Sequence, residues 1–586
     1  MVFFKKGDSL EKGMKKTFSV KIAGPAGYGI MGAGRILGEA LSSLGFSVVV
    51  YPEYPSQIRG GDNVSLVTFS LKKKLVPSLK TDILVAFSRE SLLLHYNEVV
   101  KDGLLLVDEV VAIEKVVAIR KGGAIKIPLT QIAQRTIGDS LARNTVALGL
   151  IFGILGLPAK VLAEEIKETF LKKGKKVYLD NQAAARQGYQ LAIKAGLKKK
   201  NLGANFFKTQ KNSNSFLFSG NDAISQGIID AQCGYAAIYP MTPINSILTT
   251  LAASQKKTGM IVFRPEDEIA GINSAIGASF AGRRAMVATS GGGFCLMAEG
   301  FGMAGATETP LVVVEGMRTG PSTGMATWTS QEDLLFLVNV GNGEFPRIIF
   351  APGDPEEAYQ LTFRAFNLAD IYQLPVIVLT DKYLSESAFS GANLGFRSLG
   401  LKIERGKNMG DGEEKDYKRY EDTADGISPR AIPGQTVFLT NSYVHNEKGF
   451  SIEDGRTRVK MKQKLFEKLE NFKEPGTKLY GSLKSDVTFI SFGSTKHIVL
   501  AAMEGLRRRG IKANFLHFFR PWPFPKEAKK VLQEAEKIIS VENNSTGQLA
   551  RLIKMETGIE INQQILKDDG RPFFEGEIEG KLKVQS

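Results

Sequence analysis

Short apolar runs that end in polar or glycine-rich turns recur along this chain, with helix-compatible stretches between them, and this alternation limits the fold more than anything else. In the first 195 residues the runs are "TFSVKIAG", "FSVVVYP", "NVSLVTFSL", "DILVAFS" and "GLLLVDEV". A second series, "AAIYP", "GMIVFRPEDE", "RRAMVATSGGG", "TPLVVVEGMR" and "PVIVLTDKYL", follows a Lys/Asn/Ser/Gly-rich stretch at 196–215. A third begins at "DVTFISFGSTKHIVL". Strand and helix in alternation imply mainly parallel sheets covered by helices. The chain therefore reads as α/β with three α/β domains, at 1–195, 216–400 and 476–586, joined by a linker (196–215) and a charged, strand-poor connecting segment (401–475). A length of 586 residues suits that number.

Composition excludes several function classes. The chain carries 76 Lys and Arg against 61 Asp and Glu, but the cations are scattered and no aromatic-interleaved basic array marks a nucleic-acid surface. Such a basic balance also suits an acidic protein partner. Cys233 and Cys295 are the only cysteines, too few for a [4Fe–4S] cluster, and His95, His445, His497 and His517 form no zinc-type pair. No metal site is expected on this chain. The apolar run "VALGLIFGILGL" (146–157) is too short to span a bilayer and reads as a buried helix, and the start has no signal-peptide pattern. A cytoplasmic protein without membrane contact is the expectation.

The stretch "GPAGYGIMGAGRILGEAL" holds G-x-G-x-x-G at Gly27, Gly29 and Gly32, with Glu53 where an acid would meet a ribose hydroxyl. A dinucleotide site, and hence an NAD(P)-dependent dehydrogenase, is one reading. Close helix–sheet packing is the other, since Pro25 stiffens the turn and extra glycines stand at Gly24 and Gly34.

Four later stretches end strands with chemistry-bearing residues. In "AAIYPMTPIN", Pro240 and Pro243 fix a loop after Tyr239, and Thr242 offers a hydroxyl between them; a structural proline turn fits equally. In "RPEDEIAGINSAIGASFAG", Glu266, Asp267 and Glu268 precede a small-residue helix, where acids also suit the helix dipole. In "ATSGGGFCLMAEG", Thr289 and Ser290 enter a glycine turn that lacks P-loop spacing, and Cys295 reads as core filler. In "VVVEGMRTGPSTG", Arg318 could grip a carboxylate bidentately or lie on the surface.

Taken in order, these stretches resemble the 2-oxoacid:ferredoxin (acceptor) oxidoreductases. "GPAGYGIMGAGRILGEAL" with "YPSQIRGGDN" is similar to the family's Rossmann-like gamma domain, which implies that the glycines build a turn. "YPMTP", the segment from Glu268, "TSGGGFCLMAEG" and "RTGPSTG" resemble a thiamine-diphosphate pyrimidine-binding-type domain. "DGISPRAIPG" resembles the family's connecting stretch; "LHFFRPWPFP" and "VENNSTGQLARL" resemble a transketolase C-terminal-type domain. The resemblance implies an alpha subunit with the gamma domain fused in front, carrying out CoA-dependent oxidative decarboxylation of a 2-oxoacid, as in anaerobic metabolism. It implies Glu268 as the catalytic carboxylate on the cofactor's pyrimidine N1′. Thr242 and Arg318 are the implied substrate-binding residues, and Tyr239, Pro240, Thr289 and Ser290 line the cofactor pocket. Ile244 and Asn245 depart from the family's small hydroxyl residues, and Gly292 replaces its proline. A beta subunit, in a heterodimer or a dimer of heterodimers, is implied to bring Mg2+, the diphosphate site and a [4Fe–4S] cluster, with CoA as co-substrate and ferredoxin as acceptor. The Gly410-Asp411-Gly412 triplet with Asn441 mimics a diphosphate–Mg2+ motif but follows no strand, so it is rejected here. A non-catalytic scaffold subunit is the remaining alternative.

Overall fold

The computed structural model describes residues 17–56, 61–71, 75–112, 123–197, 215–392, 400–410, 416–470 and 472–582. The chain forms two compact units, one of Met1–Leu217 with Ala388–Asn393, the other of Phe218–Ser387 with Leu394–Ser586.

In the first unit, β1 (Thr17–Pro25), β2 (Ser47–Glu53), β3 (Asp62–Ser70), β4 (Thr81–Ala86), β5 (Val99–Asp108), β6 (Ile125–Ile127), β7 (Ser215–Ser219) and β14 (Ala388–Ala392) make one sheet. Its order is β6-β5-β4-β1-β3-β2-β14-β7. The β1, β4, β5 and β6 side is parallel, whereas β3 runs antiparallel to both β1 and β2. The sheet is thus mixed rather than mainly parallel, because the connection from Glu53 to Asp62 is too short for a crossover. The strand at 388–392, inside the second expected domain, pairs with β2 instead.

Helix Ile30–Ser43 lies on this sheet through its glycines: a side chain at Gly34 would collide with Ser65, and one at Gly38 with Val50. Of the motif's own glycines, Gly27 and Gly29 take φ of 87° and 70° in the turn, and a Cβ at Gly27 or Gly32 would meet nothing within 4 Å. The "VALGLIFGILGL" run forms helix Arg143–Leu155, buried on nearly every face.

The second unit holds two sheets. The first is parallel throughout and contains β8 (Tyr235–Ile238), β9 (Ile261–Phe263), β10 (Ala285–Thr289), β11 (Leu311–Met317), β12 (Ile348–Phe350) and β13 (Pro375–Asp381). Its order is β12-β13-β11-β10-β8-β9. Every residue of β10, β11 and β13 is buried, as strands covered by helices on both faces require. The other sheet, β15 (Thr477–Tyr480), β16 (Val487–Phe492), β17 (Ala513–Phe518), β18 (Ile538–Glu542) and β19 (Gln563–Leu566), runs β15-β17-β16-β18-β19 and is parallel except at β15. One apolar core is continuous from Val287 and Phe294 to Ile490 and Phe518.

The connecting segment contains helix Gly455–Glu470. It has no apolar stripe to announce it, because two of its buried positions, Lys464 and Lys468, are lysines paired with buried Glu308. Among the described residues no helix is long and apolar enough to cross a membrane.

Candidate active site

The adjacent strands β13, β11, β10 and β8 all run in the same direction, so their carboxyl ends lie side by side. Open α/β sheets collect ligands at that edge. The register sets Thr289 beside Glu315 and Met317 beside Asp381, which brings Ser290, Arg318 and the start of the next helices to one rim.

Tyr239 and Pro240 leave β8 half-buried, and the loop turns back at Pro243 against Gly316 of β11, where a Cβ would meet Pro243 Cγ at 2.8 Å. Fully buried Asn221 fixes this loop by donating to the Pro243 carbonyl (2.7 Å) and to Ser246 Oγ (2.8 Å). Arg318 Nη1 donates to the Thr242 carbonyl at 3.0 Å. The loop and the guanidinium are therefore one assembly, with Thr242 and Arg318 brought together.

Glu268 opens helix Glu268–Phe280, which is capped by Asp267 accepting from the Ala270 N–H at 2.8 Å. Asp267 thus has a structural task. Glu268 is 3% exposed, and its Oε1 has no hydrogen-bond partner among the described residues. A buried carboxylate oxygen without a partner is costly unless a ligand satisfies it. Oε1 faces Gly293, where a Cβ would collide with both Glu268 and Thr289 Oγ1. The missing Cβ at Gly293 is what gives the Glu268 and Thr289 side chains room to sit there. Thr289 and Ser290 are fully buried at the end of β10, and Ser290 Oγ also lacks a partner among the described residues. Three sequence-identified elements (the Glu268 helix start, the Thr289–Ser290 corner and the Gly293 turn) converge. The residues fit a planar, hydrogen-bonding group such as the thiamine pyrimidine.

Cys295 corrects an expectation. It is exposed, not core filler, as is its neighbour Leu296, because it projects from the outer face of helix Gly291–Ala306. Ile269, next to Glu268, is also half exposed, as are Ile261 and Phe263 of edge strand β9.

Sequence reasoning missed the buried supports. Glu315 of β11 is fully buried, and Asp333 crowds Gly291, where a Cβ would meet Asp333 Oδ2 at 2.5 Å. Burial, and then the nearness of Asp333, hold the Glu315 carboxyl well above the usual range; burial pushes Asp333 up to about 6 against the opposing pull of Glu315 and Arg318. Burial lowers the Arg318 guanidinium, opposed by the same two acids. Gln331 is clasped by the other sheet: its N–H donates to the Asn543 carbonyl (2.7 Å) and its Nε2 to the Phe492 carbonyl (2.8 Å). The segment after Arg318 is thereby fastened to β16 and to the turn following β18. An acid inside the apolar run "LVVVEGM" was the one available trace of Glu315.

Of the rejected triplet, Asp411 and Gly412 lie outside the described residues; Asn441 is spent on a turn, donating to the Gly449 carbonyl (2.6 Å) and accepting from the Tyr443 N–H (2.8 Å). Among the described residues no group of three or more His, Cys, Asp or Glu is placed to hold a metal.

Three family models match in turn: the pyruvate ferredoxin/flavodoxin oxidoreductase model at 19–191, the pyruvate flavodoxin/ferredoxin oxidoreductase thiamine diphosphate-binding model at 226–464, and pyruvate:ferredoxin oxidoreductase core domain II at 485–571. The 2-oxoacid:ferredoxin oxidoreductase subunit alpha of a Sulfolobus species is 34% identical over 96% of each chain. The 2-oxoglutarate synthase subunit KorA of Archaeoglobus fulgidus is 32% identical, matching 58% of this chain and 90% of its own. Among solved structures, the 2-oxoglutarate:ferredoxin oxidoreductase of Magnetococcus marinus, with 2-oxoglutarate, coenzyme A and succinyl-CoA bound, superimposes with a TM-score of 0.86. It is 30% identical and covers 96% of this chain and 98% of its own.

Proposed function

This chain belongs to the alpha subunits of the 2-oxoacid:ferredoxin oxidoreductases, and from that premise we propose that Glu268, Thr242 and Arg318 form its half of a reaction centre shared with a beta subunit. The observation that carries the reading is the buried Glu268 Oε1, which has no hydrogen-bond partner among the described residues. Thiamine diphosphate, when bound, supplies the electron sink for loss of CO2 from a 2-oxoacid. The residues of this chain bind and orient. Glu268 Oε1 would hold the pyrimidine nitrogen by a hydrogen bond through which a proton can be shared, and Gly293, lacking a Cβ, gives that carboxylate its place. Tyr239, Pro240, Thr289 and Ser290 wall the same pocket. The Arg318 guanidinium, braced on the Thr242 carbonyl, holds the substrate carboxylate together with the Thr242 hydroxyl.

Exposed apolar side chains, Ile269 next to Glu268 in the chain, Leu296 on helix Gly291–Ala306 and Ile261 and Phe263 on edge strand β9, suit a subunit interface that shuts water out of the site. On this reading the beta subunit contributes the Mg2+–diphosphate site and a [4Fe–4S] cluster. The complex, in the cytoplasm, turns 2-oxoacid, CoA and oxidised ferredoxin into acyl-CoA, CO2 and reduced ferredoxin. The Magnetococcus marinus relative has coenzyme A bound, which supports CoA as the co-substrate here. The three α/β domains, with boundaries near 195, 216, 400 and 476, divide the work: a gamma domain, a pyrimidine-binding domain and a bracing C-terminal domain.

The test is a panel of 2-oxoacids given to the purified complex with CoA, read by reduction of a viologen dye. Dye reduction that requires 2-oxoacid, CoA and thiamine diphosphate, and disappears in Glu268→Ala, is the expected result. Full activity in Glu268→Ala would leave this chain a scaffold.

A further inference from the structure

The stretch "VENNSTGQL", from the end of β18 into helix Gln548–Thr557, carries polar side chains where a core would carry apolar ones. Glu542, Asn543 and Asn544 are buried, and so is Gln331 from the segment after β11. Buried polar groups are costly unless they are bonded, and these are bonded across the two sheets. The Gln331 N–H donates to the Asn543 carbonyl (2.7 Å) and its Nε2 to the Phe492 carbonyl (2.8 Å). In return its Oε1 accepts from the Asn543 N–H (2.9 Å) and its carbonyl from Asn544 Nδ2 (3.0 Å). Gln548 grips the residues that follow, accepting from the Leu335 N–H at 2.8 Å and donating to the Glu332 carbonyl. Glu542 aims the motif: its carboxylate accepts from Asn544 Nδ2 (3.0 Å) and from the helix-starting N–H groups of Leu549 (2.8 Å) and Ala550 (3.1 Å).

This clasp reaches Arg318 through an unbroken set of hydrogen bonds. Two residues before Gln331, the Thr329 N–H donates to the Gly570 carbonyl (2.9 Å), another anchor on the C-terminal side. Thr319, next to Arg318, donates its N–H to the Trp328 carbonyl (3.1 Å) and its hydroxyl to the Thr329 carbonyl (3.3 Å). The loop from Thr319 to Thr329 is thereby pinched shut beside Arg318 by residues that the C-terminal domain holds. Gly570 lies flat against the same limb, where a Cβ would meet Trp328 Cβ and Met325 Cε, each at 2.9 Å. The base of the loop (Thr329, Ser330, Gln331) is buried while its tip (Pro321 to Met325) is exposed, so the clasp sets the direction in which the loop leaves the sheet. On its other side the Arg318 guanidinium is braced on the Thr242 carbonyl. We infer that the Glu542–Gln548 motif is a positioning element of the 2-oxoacid site, acting through Gln331 and Thr319 to set where the Arg318 guanidinium stands. The motif touches no reacting atom. It gives the C-terminal domain a part in substrate binding as well as in packing.

The inference rests on the reading that Arg318 holds the 2-oxoacid carboxylate, and its test separates the two. The purified complex is assayed for kcat and for the Michaelis constants of the oxoacid substrate and CoA, and a melting curve checks that each variant is folded. Gln331→Met keeps the length of the side chain but loses both of its side-chain hydrogen bonds. It should raise the oxoacid KM about tenfold and leave the CoA KM unchanged. Arg318→Gln should raise the oxoacid KM further. Adding Gln331→Met to Arg318→Gln should then change little, because both substitutions act on one contact. Gln548→Ala loosens only the half-buried edge of the clasp; it should raise the oxoacid KM by a smaller factor, and it decides the matter if Gln331→Met does not assemble. Wild-type oxoacid KM in the folded variants, an equal rise in the CoA KM, or an effect of Gln331→Met that persists in full beside Arg318→Gln overturns the inference alone and leaves the clasp as packing. An Arg318→Gln complex with unchanged oxoacid KM overturns the reading beneath it.

Discussion

At the scale of single residues, the site is defined by atoms left without partners. Glu268 Oε1 is buried and unsatisfied among the described residues, and Gly293 is the neighbour whose missing Cβ leaves the gap it occupies. Glu268→Gln keeps the size of the side chain but cannot share the proton, so kcat should fall about 10²- to 10⁴-fold in the dye assay while the subunits still copurify. Gly293→Ala tests the same gap from the other side. Its methyl would collide with Thr289 Oγ1 and Glu268 Oε1, so the variant should lose most of its activity and about 1–3 kcal/mol of stability, read as a lower melting temperature. Both residues stood out in the sequence because a carboxylate before a small-residue helix and a glycine-rich turn are local patterns. Glu315 and Asp333 did not, because Glu315 is buried by its sheet and Asp333 meets Gly291 only once the chain is folded. No spacing along the chain encodes that meeting.

At the scale of elements, buried charge does work that sequence patterns assign to apolar residues. Helix Gly455–Glu470 was unreadable for that reason: its inward positions include Lys464 and Lys468, which grip Glu308 just beyond helix Gly291–Ala306. Burial alone would raise Glu308, but Lys468, Lys464 and Arg419 hold it far below the usual carboxylate range. Glu308→Ala leaves two lysines buried without their partner and should cost about 3–5 kcal/mol, seen as a lower thermal midpoint. The strands of the parallel sheets were readable because β10, β11 and β13 are continuous apolar runs. The reversal at β3 was not, since the same apolar run serves either direction.

A second charged cluster joins the two sheets of the second unit: Asp354 and Glu357 on one side, Lys496, His497 and His517 on the other. Burial opposes ionisation of both acids, yet His497 and Lys496 hold Asp354 well below the usual range, and His517 and Lys496 hold Glu357 down at about 2. Acids depressed by folding add stability above their ordinary pKa near 4 and lose it as pH falls toward their folded values. Acid unfolding of this unit should therefore set in between about pH 4 and 2, and Lys496→Met should move its midpoint to higher pH, followed by circular dichroism.

At the scale of the whole molecule, what the chain cannot hold defines its partner. A [4Fe–4S] cluster needs about four thiolates, and the chain has two cysteines. Neither is disposed to ionise: burial pushes the Cys233 thiol up to about 12, and burial with the nearby Asp333 charge raises Cys295. On the proposed function, electrons released at Glu268's pocket leave through a carrier on another subunit. On the same proposal, exposed Ile269, Leu296, Ile261 and Phe263 suit a second subunit's surface, and the net charge of +15 suits an acidic electron acceptor. The purified chain alone should contain no stoichiometric iron and reduce no dye with any 2-oxoacid, even when supplied with thiamine diphosphate, Mg2+ and CoA. Coexpression with a beta subunit should restore both iron and turnover, and dye reduction should then fall with Leu296→Glu, which sets a charge in the apolar rim. Turnover by the chain alone would mean that the electrons leave by a route this fold does not contain, and the division of labour between the subunits would have to be abandoned.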